Sequence, residues 1–320
     1  MTKSELQGHG AMLVAELMWG LMAPVSKVVL AGVLTPLLLT DFRVAGAALL
    51  FWLVSAFMKA EPVARGDKLR MFFAALLAIV FNQGVFMVGL NRTSPIDASI
   101  IATSSPILTM VIAALCLREP VTGKKVAGVV MGAVGALLLI LGGRQGSFGG
   151  GGIWGDLLCL AAQFSFSLYL VFYKGLTARY SPVTLMKWMF TYATLCIVPF
   201  TLGEIAALEW RLLDATSLAG AAVVLFCGTF ISYLLVPIGQ KSLRPTVVSI
   251  YNYLQPVVGS TVAICWGLDR FTVWKAAAVV LVFAGVFIVT RRSKRPVLER
   301  VPSLISLSPA VRPSARNHFE

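Results

Sequence analysis

Residues 91–119 read NRTSPIDASIIATSSPILTMVIAALCLRE, and residues 241–269 read KSLRPTVVSIYNYLQPVVGSTVAICWGLD. Laid over one another at an offset of 150, they match at Pro95/Pro245, Ser99/Ser249, Pro106/Pro256 and Glu119/Asp269. Each is a polar lead, an apolar run broken by a proline, and an acidic stop. Thr35-Pro36 and Ser181-Pro182 match in the same way at an offset of 146. The chain is therefore read as a duplication.

Working outward, apolar runs broken by Pro, Gly and charge predict ten transmembrane helices. They fall near 11–30, 37–57, 71–90, 96–117, 124–141, 154–173, 185–203, 218–238, 246–266 and 273–290. Five spans per half is an odd number, so the second half must start on the opposite side of the membrane. The expected fold is all-α and integral to the membrane, built as two inverted five-helix repeats. Residues 1–10 form a cytoplasmic N-terminus, 11–141 the first repeat and 154–290 the second. Between the repeats, 142–153 is a Gly-rich linker, and 291–320 reads as a basic, disordered cytoplasmic tail.

Composition excludes the competing classes. The 320 residues are 58% hydrophobic and 13% charged, with a mean hydropathy of +0.84. Too few charges remain to cover a soluble enzyme of this size, and too much apolar surface for a disordered chain. The net charge of +13 points to membrane orientation and not to nucleic acid, because no RNA- or DNA-binding motif accompanies it. With the N-terminus inside, seventeen Lys and Arg fall in inner segments and five in outer ones, as the positive-inside rule requires. Both ends are thus placed in the cytoplasm of a cell with this protein in its inner membrane. Cys116, Cys159, Cys196, Cys227 and Cys265 lack CxxC spacing and read as packing residues. The N-terminus lacks the cleavage pattern of a signal peptide.

Further features form an ordered set. Ala15-Glu16-Leu17-Met18-Trp19-Gly20 is followed by Lys27, and Thr35-Pro36 by Asp41-Phe42-Arg43. Gly89-Leu90, the Glu119 stop and a Gly-rich fifth span continue it. With the duplication, these resemble the EamA family of the drug/metabolite transporter superfamily, over about residues 10–290. The resemblance implies two inverted five-helix halves and the movement of small metabolites across the cell membrane. It also implies a central cavity lined by spans 1, 3, 4, 6, 8 and 9.

Polar residues inside hydrocarbon mark the candidate site. Glu16 admits two readings: a proton-binding group lining the route, or a glutamate neutralised by a neighbouring helix. Lys27, Asp41 and Arg43 are expected near the outer interface, with Lys27 and Asp41 as an ion pair or an outer gate. Asn82-Gln83 and Ser232-Tyr233 recur at one offset near the middle of spans three and eight, where they line a cavity or hydrogen-bond between helices. In span four, Ser99, Thr103, Ser105 and Pro106 gather near a proline break; in span nine, Ser249, Tyr251, Asn252, Tyr253, Gln255 and Pro256 do the same. Pro106 and Pro256 are candidate hinges that free the carbonyls of Ala102 and Asn252. Trp19 caps this cavity.

The expected activity is secondary transport, in the export direction, of small organic metabolites such as amino acids by alternating access. A proton is the candidate coupling ion, and no metal, cofactor or nucleic acid is assigned. A neutral amide and aromatic lining suits zwitterions or uncharged solutes better than phosphate esters. A lipid-modifying membrane enzyme and a non-transporting scaffold are the alternatives. The first would need a cluster of His, Asp or Glu at one interface, whereas His9 and His318 lie at opposite ends of the chain, without HExxH, Walker A or GxSxG motifs.

Overall fold

In the computed structural model, which describes residues 2–30, 34–90, 92, 101–142, 153–208, 211, 214–266 and 272–290, helices begin where the sequence supplies caps. Thr2 Oγ1 accepts the Glu5 amide at 3.2 Å, and Glu5 Oε2 accepts the Thr2 amide at 2.7 Å. This reciprocal cap starts α1 (Lys3–Val29) well before the expected residue 11. The Thr2-x-x-Glu5 spacing was legible but lies in a polar segment that hydropathy passes over. α2 (Pro36–Ala56) and α7 (Pro182–Ala207) share a second device. Thr35 and Ser181 hydroxyls accept the Leu38 and Thr184 amides, each at 3.2 Å, with proline in the first turn. The 146-residue match is thus a matched pair of helix starts.

The other long helices are α3 (Arg65–Gly89), α4 (Ser105–Leu117), α5 (Gly123–Gly142), α6 (Ile153–Phe172), α8 (Ala215–Ser242) and α10 (Val273–Thr290). Between α8 and α10, Pro245–Ile250 leads through a tight 3₁₀ turn at Tyr251–Tyr253 into α9 (Leu254–Cys265). A short helix, Lys174–Arg179, joins α6 to α7. Among the described residues the regular structure is all helical, and α2, α3, α6, α7, α8 and α10 are long and apolar enough to cross a bilayer. Large apolar side chains face outward along them, such as Leu49, Phe200 and Val280, as lipid contact requires. The linker at 143–152, residues 291–320, Pro95, Ser99 and Asp269 lie outside the described residues, as does the side chain of Lys27.

The halves interlock through small residues. A Cβ on Gly239 of α8 would stand 2.5 Å from Met12 Sδ of α1, and one on Gly89 of α3 would stand 2.8 Å from Cys159 Sγ of α6. Helix α1 therefore packs on the second half and α6 on the first. Offsets of 150 (Gly89/Gly239) and 147 (Met12/Cys159) relate the two contacts. Helices α5 and α10 pair the same way. A Cβ on Gly285 would lie 2.6 Å from the Gly128 carbonyl oxygen, and one on Gly135 would lie 2.7 Å from that of Ala278. These too exchange roles at an offset of 150. Only glycine lets these backbones approach.

At one end of the bundle the connectors are tied together. Glu61, between α2 and α3, accepts from the Ser181 hydroxyl at 2.6 Å. Asp67 accepts from Tyr180 at 2.7 Å and Arg179 at 2.6 Å. Lys174 donates to the Leu243 carbonyl at 2.8 Å, and Glu119 accepts from Lys125 at 2.6 Å and Thr246 at 3.2 Å. Arg179 is largely exposed, so its charge is screened and the buried Tyr180 bond carries more of the tie. Asp67→Ala is expected to destabilise the protein by about 1–3 kcal/mol, mostly by stranding the Tyr180 hydroxyl. An unshifted melting temperature in nanodiscs would show that this end is not clamped. Burial opposes charge on Glu61, but donation from Ser181 and Thr184 and the positive Lys241 hold its carboxyl below the usual range. Its contribution is complete at neutral pH and is lost as pH falls through that lowered value.

Candidate functional site

Halfway along the bundle, both halves deform at the same register. Helix α3 opens into a π-helical stretch at Leu76–Val85, and α8 does so at Phe226–Ile231. The two start at an offset of 150. Widened turns free backbone carbonyls and re-aim side chains, and they recur at functional sites. Here the Gly228 carbonyl accepts the Trp19 indole N–H at 2.9 Å. Ser232 donates to the Cys227 carbonyl at 2.7 Å.

Next to these stretches the two halves meet through equivalent residues. The Gln83 amide donates to the Tyr233 hydroxyl at 2.6 Å. Trp19 stands edge-on to Tyr233 with centroids 5.5 Å apart, and edge-on to Phe166 at 6.4 Å. Phe190 packs perpendicular to the same tyrosine at 5.1 Å. Trp19 and Phe166 are themselves related by 147 residues, and Gln83 and Tyr233 by 150. Trp19, Gln83 and Tyr233 are thus brought to one junction. Asn82 turns elsewhere and donates to the Ala162 carbonyl of α6 at 3.2 Å. Its counterpart Ser232 reaches the Ala15 carbonyl of α1 at 3.4 Å. For Asn82 the geometry is interhelical hydrogen bonding.

The proline segments sit beside this junction. The chain turns at Thr103 and Ser104, and Pro106 lies in the first turn of α4, where a missing N–H costs nothing. Tyr251–Tyr253 forms the equivalent tight turn, with Pro256 in the first turn of α9. The prolines therefore follow breaks, and do not kink continuous helices as expected. Asn252 donates to Ser105 Oγ at 3.4 Å, crossing between the breaks. Gln255 donates to Glu16 Oε2 at 2.7 Å. Glu16 is fully buried, and its Oε1 has no hydrogen-bond partner. Tyr251 turns toward α1 and meets His9 Nδ1 at 2.8 Å, so His9 is tied into the bundle and is not a loose terminal residue.

Sequence reading placed Arg43, with Lys27 and Asp41, within about two turns of the outer interface. In the structure its Nε donates to Thr229 Oγ1 at 3.0 Å, and Thr229 lies halfway along α8. The Arg43 side chain leaves α2 and reaches across to α8, a lateral displacement that linear depth along the span does not capture. Asp41 is buried against Thr201 of α7, with Oδ1 lacking a hydrogen-bond partner. Arg43 and Glu16 both act electrostatically on the Tyr233 hydroxyl. Thr229 and Phe166 were missed; a lone hydroxyl inside Phe226–Ile231 was the available signal.

Comparison with known proteins shows the family and the fold. The model of the EamA-like transporter family matches residues 6–141 and 153–291, a duplication of one unit. The "Uncharacterized transporter YvbV" of Bacillus subtilis is 28% identical over 87% of this chain and 90% of its own length. A "Probable amino-acid metabolite efflux pump" of Escherichia coli is 27% identical over 89% of this chain and 95% of its own. A solved crystal structure superposes with a TM-score of 0.74 at 19% identity, covering 89% of this chain and 95% of the other, which shows a shared fold.

Proposed function

The chain belongs to the EamA-like transporter family and is a multi-pass membrane transporter, and from that premise we propose that it exports small zwitterionic or uncharged polar metabolites by alternating access, without ATP. Ten spans form two inverted repeats, 11–141 and 154–290, joined by the linker 142–153, with 1–10 and the tail 291–320 in the cytoplasm. The membrane is the cell's inner membrane. The observation that carries the reading is the Gln83–Tyr233 junction, where equivalent residues of both halves meet beside matched helix distortions. A solute bound there contacts both repeats, so rocking one against the other changes which side it faces.

Within this reading Trp19, Gln83, Ser105, Tyr233, Asn252 and Gln255 line the route, with Ser99, Thr103 and Tyr251 at its margins. The breaks before Pro106 and Pro256 act as hinges, and Glu16 carries the coupling proton. Lys27 with Asp41 belongs to the outer gate. Export is favoured because the Escherichia coli relative is named an efflux pump.

Solute counterflow in proteoliposomes, run over amino acids, nucleosides and common metabolites, tests the proposal. Wild-type protein should exchange at least one class of solute. Gln83→Ala should slow that exchange about tenfold, because it strands the buried Tyr233 hydroxyl in the route. Normal exchange with Gln83→Ala would remove the junction from the pathway, and no flux of any solute would refute transport.

A further inference from the structure

We propose, resting on the transport reading above, that Arg43 binds the carboxylate of the transported solute and makes the site select acids over their amides and amines. A guanidinium this deep in hydrocarbon is expensive unless it faces a counter-charge or a wet cavity. Among the described residues the ion pairs are Arg70–Asp67, Lys125–Glu119 and Arg179–Asp67, all at the connector end and none involving Arg43. Asp41 lies about 200° away around the same helix and is directed to Thr201. Glu16 accepts from Gln255. The Nε of Arg43 is held by Thr229, which fixes the plane of the fork, and part of the residue stays accessible.

Among the described residues the terminal N–H groups of Arg43 have no hydrogen-bond or ion-pair partner, and a planar fork held in this way matches the two oxygens of a carboxylate through parallel bonds. One cation balances one negative charge, which favours a carboxylate over a doubly charged phosphate ester. Tyr233, in electrostatic reach of the same guanidinium, and the rings of Trp19 and Phe190 around it offer an apolar wall for the rest of the solute. The sequence alone argued for a lining of neutral amides and aromatics; Arg43 adds a charge to it.

The test uses full-length protein in nanodiscs, melted with each standard amino acid in turn. The one that stabilises most is then compared with its carboxamide and its decarboxylated amine. In the wild type the acid should bind about tenfold to a hundredfold more tightly than either analogue. Arg43→Gln should bind acid and amide equally, and Arg43→Lys should fall between. An amide that stabilises as well as its acid, no stabilisation by any amino acid, or a retained acid preference in Arg43→Gln overturns the proposal. The wild-type comparison needs no variant and stands even if Arg43→Gln fails to fold. Flux that ignores the carboxylate refutes only the role of Arg43, whereas absent flux of every solute refutes transport itself.

Discussion

Gly285→Val should nearly abolish the yield of folded protein. The first atom added at this position would lie 2.6 Å from both the Gly128 carbonyl oxygen and the Gly132 amide nitrogen. Both obstacles are backbone, so no rotamer change relieves them, and α5 would have to move away from α10. Overpacking a well-filled interior costs about 1–3 kcal/mol even where side chains can adjust. The cost is larger here, because Gly135 and Ala278 make the equivalent close approach along the same pair of helices and would separate with it. Gly132 also faces the ring of Tyr253, so displacing α5 disturbs the turn before α9. Gly203→Ala is the control: nothing lies within 4 Å of its added methyl, and alanine in a helix is favoured by about 1 kcal/mol. Monodisperse yield in detergent and melting temperature would be read for both. A Gly285→Val protein as stable as the wild type would show that α5 and α10 do not meet as described.

How much of this was legible beforehand depends on the range of the interaction. The duplication was visible because its markers are local: Thr35-Pro36 and Ser181-Pro182 are caps whose hydroxyls bond three residues on. Gln83 and Tyr233 were flagged as equivalents by offset alone, but nothing in the sequence says that equivalents touch. Contact follows from how α1 and α6 cross into opposite halves, which is tertiary. The contact of Arg43 with Thr229 was hidden for the same reason, since depth along α2 is one-dimensional and the reach of its side chain across to α8 is not. The π-helical stretches Leu76–Val85 and Phe226–Ile231 were not legible as such, because the polar residues within them mark a site without encoding a widened turn, and the extra width is set by packing. Among the described residues no group of three His, Cys, Asp or Glu comes together, and the chemistry of the site rests on amides, hydroxyls and two charges.

One of those charges makes the second large effect. Glu16→Gln should leave downhill exchange of solute intact and eliminate its accumulation against a gradient. Glu16 is fully buried, with one carboxylate oxygen held by Gln255 and the other unpartnered. An ionised carboxylate in that setting is poorly compensated, and coupling through Glu16 needs a proton bound there in one state of the cycle. When the site opens to water on either side, ionisation becomes cheap and the proton leaves. A group that gains its proton on one side and loses it on the other ties solute movement to the proton gradient. One pH unit is worth about 1.4 kcal/mol per proton, enough for roughly tenfold accumulation at one proton per solute. Glutamine keeps the shape and the hydrogen-bonding reach to Gln255 but is permanently neutral, so the variant should cycle without responding to pH. In proteoliposomes with an imposed pH gradient, wild-type protein should concentrate solute and Glu16→Gln should only equilibrate it. If the variant concentrates solute as the wild type does, Glu16 is a neutralised helix-packing residue and the driving ion enters elsewhere.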